Sequence, residues 1–150
     1  MIKCLLIWLI IAVCLPVAVS AELQVHFLDV GQGDCTIVLC DGEPMIIDGG
    51  PVSASGFLYS YIRNTLELEH LDYMIASHPH EDHIGSLASA LNVVPVDLIL
   101  SPVTEWNSRR FDAILEYADV QGTPVIVPNE GDSLRLGGAS ITILGGLDGQ

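Results

Sequence analysis

Ser77-His78-Pro79-His80-Glu81-Asp82-His83-Ile84-Gly85 places three of the five histidines of the chain within six residues. The apolar run Leu71–Ala76 before it reads as a strand. After it, Ile84, Leu87, Ala88 and Leu91 recur at the spacing of a helical stripe. The segment therefore joins a strand end to a helix start. In an extended loop His78 and His80 project to the same side, and Pro79 between them stiffens the backbone. Asp82 and His83 then point back from the helix start, so four nitrogen and oxygen donors converge. Such a set suits zinc or another borderline divalent ion. A cluster of imidazoles has little structural use, since each needs a partner when buried. Glu81 projects away and is expected in solvent.

Outward from this segment, strands and helices alternate, which points to a layered mixed α+β domain. Leu23 to Leu28 alternates and then breaks at Asp29-Val-Gly-Gln-Gly-Asp34. Thr36–Leu39 and Met45–Ile47 are short apolar runs around Cys40-Asp-Gly-Glu-Pro44, the pattern of a hairpin. A helix is expected from about Ser55, through Leu58, Tyr61, Ile62 and Leu66. Val96–Leu100 reads as a buried strand. Phe111, Ile114, Leu115 and Ala118 form a second helical stripe, stopped at Gly122. Pro124–Val127 is extended, and Leu134 to Ile143 is expected to turn at Gly137-Gly138. The chain ends shortly after that hairpin with no covering helix, which reads as the front part of a longer domain.

Composition narrows the functions. Half of the 150 residues are hydrophobic and 16% are charged, which excludes a disordered chain. One domain is expected at this length. Five basic residues stand against 19 acidic ones, for a formal charge of −14. A broad basic surface for nucleic acid is thereby excluded. Residues 1–21 read as a signal peptide: Lys3, an apolar run from Cys4 to Val19, then small residues before Glu22. The expected location is secreted or extracytoplasmic, with an uncleaved leader anchoring the chain to a membrane as the lesser alternative. No other membrane partner is expected. Cleavage would leave Cys35 and Cys40, five apart in one strand and facing opposite ways, as buried thiols without a disulfide.

His-x-His-x-Asp-His after a strand resembles the metallo-β-lactamase superfamily. His26-Phe-Leu-Asp-Val-Gly-Gln-Gly-Asp34, Ile46-Ile-Asp-Gly-Gly50 and Glu130-Gly-Asp-Ser-Leu-Arg-Leu-Gly137 are similar to the subgroup with the extracytoplasmic hydrolase domain of the competence proteins ComEC/Rec2. The resemblance runs from Glu22 to about Leu144. It implies an αββα sandwich of which the N-terminal half is present. It also implies His78 and His80 as ligands of one metal and Asp82 and His83 as ligands of a second. Asp82 would be the catalytic carboxylate. Asp48 would orient the ligand loop from behind, and Gly33 and Asp34 would form a turn on the substrate side. That turn reads equally well as a glycine-rich turn with a capping carboxylate.

The implied cofactor is Zn²⁺, two ions in the complete protein, with Mn²⁺ or Fe as alternatives. The implied activity is hydrolysis by water activated on the metal. Its substrate would be a small-molecule or nucleic-acid phosphodiester, DNA included, or an ester. A β-lactam substrate fits the same residues, as does a metal-binding or interaction module without turnover. The family's further ligands, a later histidine, a bridging aspartate and a final histidine, have no match, since no histidine follows His83. His26 is expected as a packed or surface imidazole, and His70 beside the carbonyl end of the first helix. Trp106 and Arg109-Arg110 are expected at a solvated helix start.

Overall fold

Residues 22–145 are described by a computed structural model, and the expected leader, 1–21, lies outside the described residues. Among the described residues eight strands form: β1 (Leu23–Phe27), β2 (Thr36–Cys40), β3 (Glu43–Ile47), β4 (Leu71–Ile75), β5 (Val96–Leu100), β6 (Val125–Ile126), β7 (Ser133–Leu136) and β8 (Ala139–Thr142). The helices are α1 (Ser55–Ser60), α2 (Glu81–Ile84), α3 (Leu87–Leu91) and α4 (Arg109–Gln121). α1 runs on into a π-helical turn, Tyr61–Thr65.

Alternation along the strands sorts apolar side chains onto two faces of a sheet ordered β1-β2-β3-β4-β5-β6. The cross-strand register lines up Ile37, Ile46, Met74 and Ile99 in one row. All four are buried and meet Leu58, Ile62, Leu87, Phe111 and Ile114 from the helices. The opposite row contains Val38, Met45 and Tyr73. It packs with Cys40 against Leu136 and Ile141 of the β7–β8 hairpin. Helices, central sheet and hairpin thus stack as the mixed α+β sandwich expected from the pattern.

The β2–β3 turn holds Asp41 and Gly42 at φ of 53° and 89°, the positive values that a two-residue type I′ hairpin needs. Asp41 accepts bonds from the backbone N–H of Glu22 and of Gly138. These two bonds, led by that from Glu22, hold its carboxyl below the ordinary carboxylate range. They also tie β1 and the second hairpin to the same corner. The last hairpin is therefore a separate two-stranded sheet, not an added edge of the central one.

Three expectations need correction or sharpening. The stripe from Ile84 to Leu91 is not one helix but two short ones, broken at Gly85-Ser86. There the loop after β3 presses in: Ser86 donates its hydroxyl to the Pro51 carbonyl at 2.5 Å and its N–H to Gly50 at 3.2 Å. His70 does not sit on a helix end. It lies just before β4 with Nε2 3.5 Å from Asp72 Oδ2, and burial raises that carboxyl while His70 opposes the rise. Cys35 and Cys40 are buried free thiols in different cores, one on each face of the sheet. Burial, aided by the charge of Asp48, pushes the Cys35 thiol up to about 12, so it is an inert core group.

The row through the sheet gives a direct test of this core. Met74→Ala should cost about 3 kcal/mol of unfolding free energy, through lost burial and the cavity left behind. Val120→Ala, at a position 79% exposed on α4, should cost less than about 0.5 kcal/mol. Urea titrations of the two variants and the parent chain measure both.

Candidate metal centre

β3, β4, β5 and β6 run parallel, so their carboxyl ends open on the same edge of the sheet. Open α/β sheets characteristically carry their sites at this edge. β3 delivers Asp48 there, β4 delivers Ser77 and His78, and α2 delivers Asp82 and His83. Backbone bonds pin these segments together: Asp48 N–H donates to Ile75 O at 2.9 Å and Gly49 N–H to His83 O at 2.6 Å.

His78, Asp82 and His83 bring one ligand atom each to within 4.8 Å of one another. All three side chains are half-buried, and the two imidazole rings lie 3.7 Å apart between centroids. His80 stays outside this group. Residues 77–79 form a bend, so the two-residue alternation of an extended loop does not apply. The His80 carbonyl caps α2, accepting the amides of His83 and Ile84 at 3.0 Å each. Its exposed ring stands edge-on to His78 at 5.0 Å and lies 6.2 Å from Trp106.

Asp48 lies directly behind the cluster and is buried. Its Oδ2 accepts from His83 Nδ1 at 2.8 Å and from the Ser77 hydroxyl at 2.5 Å, while Oδ1 accepts from the Ser77 amide at 2.8 Å. The proton on Nδ1 fixes the His83 tautomer, leaving Nε2 free 4.0 Å from Asp82 Oδ2. Asp48 holds this position at φ 56°, a left-handed conformation that a non-glycine residue adopts only when its surroundings enforce it. Sequence reading gave Ser77 no role. Its only signal was its place between the strand end and the first histidine.

Gly33 and Asp34 do reach the cluster, by different means. Gly33, at φ 111°, lies so close to α2 that a Cβ there would be 1.8 Å from the Asp82 carbonyl oxygen. The turn thus buttresses the backbone of a ligand candidate. Asp34 is largely exposed, with Oδ2 3.8 Å from His83 Nδ1, beyond hydrogen-bond length. Glu81 is exposed, with Oε1 4.0 Å from Arg110 Nε. His26 is remote from the cluster, its Nδ1 3.0 Å from the Tyr61 hydroxyl. Arg109 and Arg110 begin α4 behind the Ser108 cap, whose hydroxyl accepts from Arg110 N at 3.2 Å.

Two imidazoles and a carboxylate, with one imidazole oriented by a buried carboxylate, are the chemistry a divalent metal such as zinc requires. Three protein donors also leave coordination positions open for water or substrate. Desolvation, then the neighbouring His83, lowers the His78 pKa below its ordinary value, which favours the neutral form a metal binds.

Two outcomes follow for the metal-free chain and its loading. Gly33→Ala should weaken zinc affinity about tenfold or more and lower the melting temperature, because the turn must leave Asp82. Gly31→Ala, with open space around it, should leave affinity nearly unchanged; calorimetric titration compares the two. With a depressed folded pKa at His78, the unfolded chain takes up that proton first as pH falls. Stability should therefore decline below about pH 6.5, and His78→Asn should flatten that part of a melting-temperature profile.

The sequence profile described as Metallo-beta-lactamase superfamily matches residues 28–148, which includes every residue of the cluster. The uncharacterized protein YcaI of Escherichia coli (strain K12) is 32% identical over 111 residues, covering 61% of this chain and 14% of that protein. This chain thus spans only a small part of that relative. Among solved structures, the metallo-beta-lactamase SMB-1 superposes with a TM-score of 0.55 at 16% identity, over 79% of this chain and 48% of that one. Rubredoxin oxygen:oxidoreductase from Desulfovibrio gigas superposes with a TM-score of 0.54 at 20% identity, over 81% and 34%. One neighbour is named for a hydrolase and the other for an oxidoreductase, so the likeness carries the fold and not a reaction. Fold, motif and profile agree: the chain belongs to the metallo-beta-lactamase superfamily.

Proposed function

We propose that this chain is part of an extracytoplasmic, metal-dependent hydrolase that cleaves phosphodiesters, DNA among them. The cluster of His78, Asp82 and His83, backed by Asp48 at the carboxyl edge of the sheet, is the observation that supports this most strongly. The similarity of the His26–Asp34, Ile46–Gly50 and Glu130–Gly137 segments to the ComEC/Rec2 hydrolase domain supports the substrate class, and residues 1–21 support the export. In this reading the complete protein binds two zinc ions, and its remaining ligands come from sequence outside this chain.

A divalent cation bound here supplies Lewis-acid polarisation of the scissile group and makes water more acidic. The protein's own groups do the rest. His78 and His83 hold the cation through neutral nitrogens, with Asp48 keeping the His83 proton on Nδ1. Asp82 would offer its carboxylate as a ligand to that cation and as an acceptor for a water proton. His80, exposed beside the cluster, is not among the three converging donors. The acidic character of the chain opposes an anionic substrate, and the bound cation's charge offsets that repulsion locally.

The full-length protein, loaded with zinc, should hydrolyse bis(p-nitrophenyl) phosphate, and Asp82→Ala should reduce kcat by about 100-fold or more. Nitrocefin turnover without phosphodiester cleavage would redirect the reading to β-lactams, the substrate class named in the SMB-1 structure. Bound metal without turnover of either would leave an interaction module. Among the described residues no helix is long and apolar enough to cross a membrane. The export reading therefore rests on residues 1–21, and mass spectrometry of protein from the producing cell should find a new N-terminus at Glu22.

A further inference from the structure

Proton accounting around Asp48 extends its reach to a second imidazole. A carboxylate only accepts hydrogen bonds, so every group facing Asp48 must donate to it. Ser77 does so twice, through its amide to Oδ1 at 2.8 Å and its hydroxyl to Oδ2 at 2.5 Å. A hydroxyl has one proton and two lone pairs, and the short charge-assisted bond to Asp48 uses that proton. Toward His78 Nδ1, 3.0 Å away, the same oxygen can therefore only accept. The His78 proton must then sit on Nδ1. A neutral imidazole carries a single N–H, which leaves its Nε2 as a bare lone pair. Ser77 Oγ also lies 3.5 Å from His83 Nδ1, but Asp48 at 2.8 Å takes that proton.

We propose that Ser77 is a positioning residue that sets the tautomer of His78, so that the single carboxylate of Asp48 leaves the Nε2 lone pairs of both imidazoles free for a cation. An imidazole free in water favours the opposite tautomer, with its proton on Nε2. The relay therefore opposes an intrinsic preference, and its removal has a spectroscopic signature. A Ser77 that merely filled space would have none.

The test is long-range ¹H–¹⁵N correlation spectroscopy on the metal-free chain with labelled histidine, at about pH 8, above the ordinary imidazole range. Both His78 and His83 should show a protonated Nδ1 and a bare Nε2. In Ser77→Ala, His78 should shift to the Nε2–H form while His83 stays unchanged, which also shows that the fold and the Asp48 contact survive. Ser77→Thr, which keeps the hydroxyl, should retain the parent pattern. If the alanine variant disturbs both residues, the threonine variant decides: a retained His78 Nδ1–H supports the relay and a lost one overturns it. A proton on His78 Nε2 in the parent chain, or no change at His78 in Ser77→Ala, would also overturn it.

A second arm rests on the metal reading given above. Zinc affinity should fall about 10- to 100-fold in Ser77→Ala and stay within a few-fold in Ser77→Thr. Absence of zinc binding alongside the expected tautomers would sink the metal reading and leave the relay standing.

Discussion

Asp48 is the constraint around which the rest is arranged. A buried carboxylate is expensive unless every lone pair it presents is matched by a donor. Here the donors are the amide and hydroxyl of Ser77 and the ring of His83. They come from the end of β4 and from α2, so the need to satisfy one charge fixes the relation of β3, β4 and the first helical turn. The left-handed backbone at Asp48 is the local cost, offset by that closed set of bonds. The arrangement costs flexibility at the sheet edge and occupies the Nδ1 atoms of two imidazoles, one with Asp48 and one with Ser77.

The layers supply the stiffness this needs. The row Ile37–Ile46–Met74–Ile99 ties three neighbouring pairs of strands to the helical layer, and each fully buried aliphatic side chain contributes roughly 1.5–3 kcal/mol. The β7–β8 hairpin covers part of the opposite face through Leu136 and is pinned by Asp41 at the far corner. Gly33 then closes the turn onto Asp82 from the solvent side. The cluster is consequently held from three directions: the sheet edge, the β1–β2 turn and the loop after β3.

Much of this was legible in the residues. Short apolar runs in β2 and β3 and helical stripes around Leu58 and Phe111 report burial directly, and burial is what these elements have in common in space. Asp41-Gly42 announced its turn because few residues tolerate positive φ. The break at Gly85-Ser86 was not legible, since it is imposed by a loop some 35 residues earlier that donates nothing to local periodicity. His70 pairs with Asp72 because the π-helical turn ends before it, a boundary the apolar spacing does not mark. At the site, residue types and spacing pointed to the cluster, but grouping depended on a bend at residues 77–79 that turns His80 outward. Ser77 went unread because its importance lies in two long-range hydrogen bonds to Asp48, 29 positions away.

The central claim is that His78, Asp82 and His83 together hold a cation, with Asp48 behind them. X-ray absorption spectroscopy of the zinc-loaded chain tests it most directly. The account predicts two imidazole nitrogens and a carboxylate oxygen at about 2.0–2.2 Å, with the imidazole scattering reduced by half in His83→Ala. A spectrum showing only water or carboxylate oxygens around zinc, unaltered by that substitution, would contradict it.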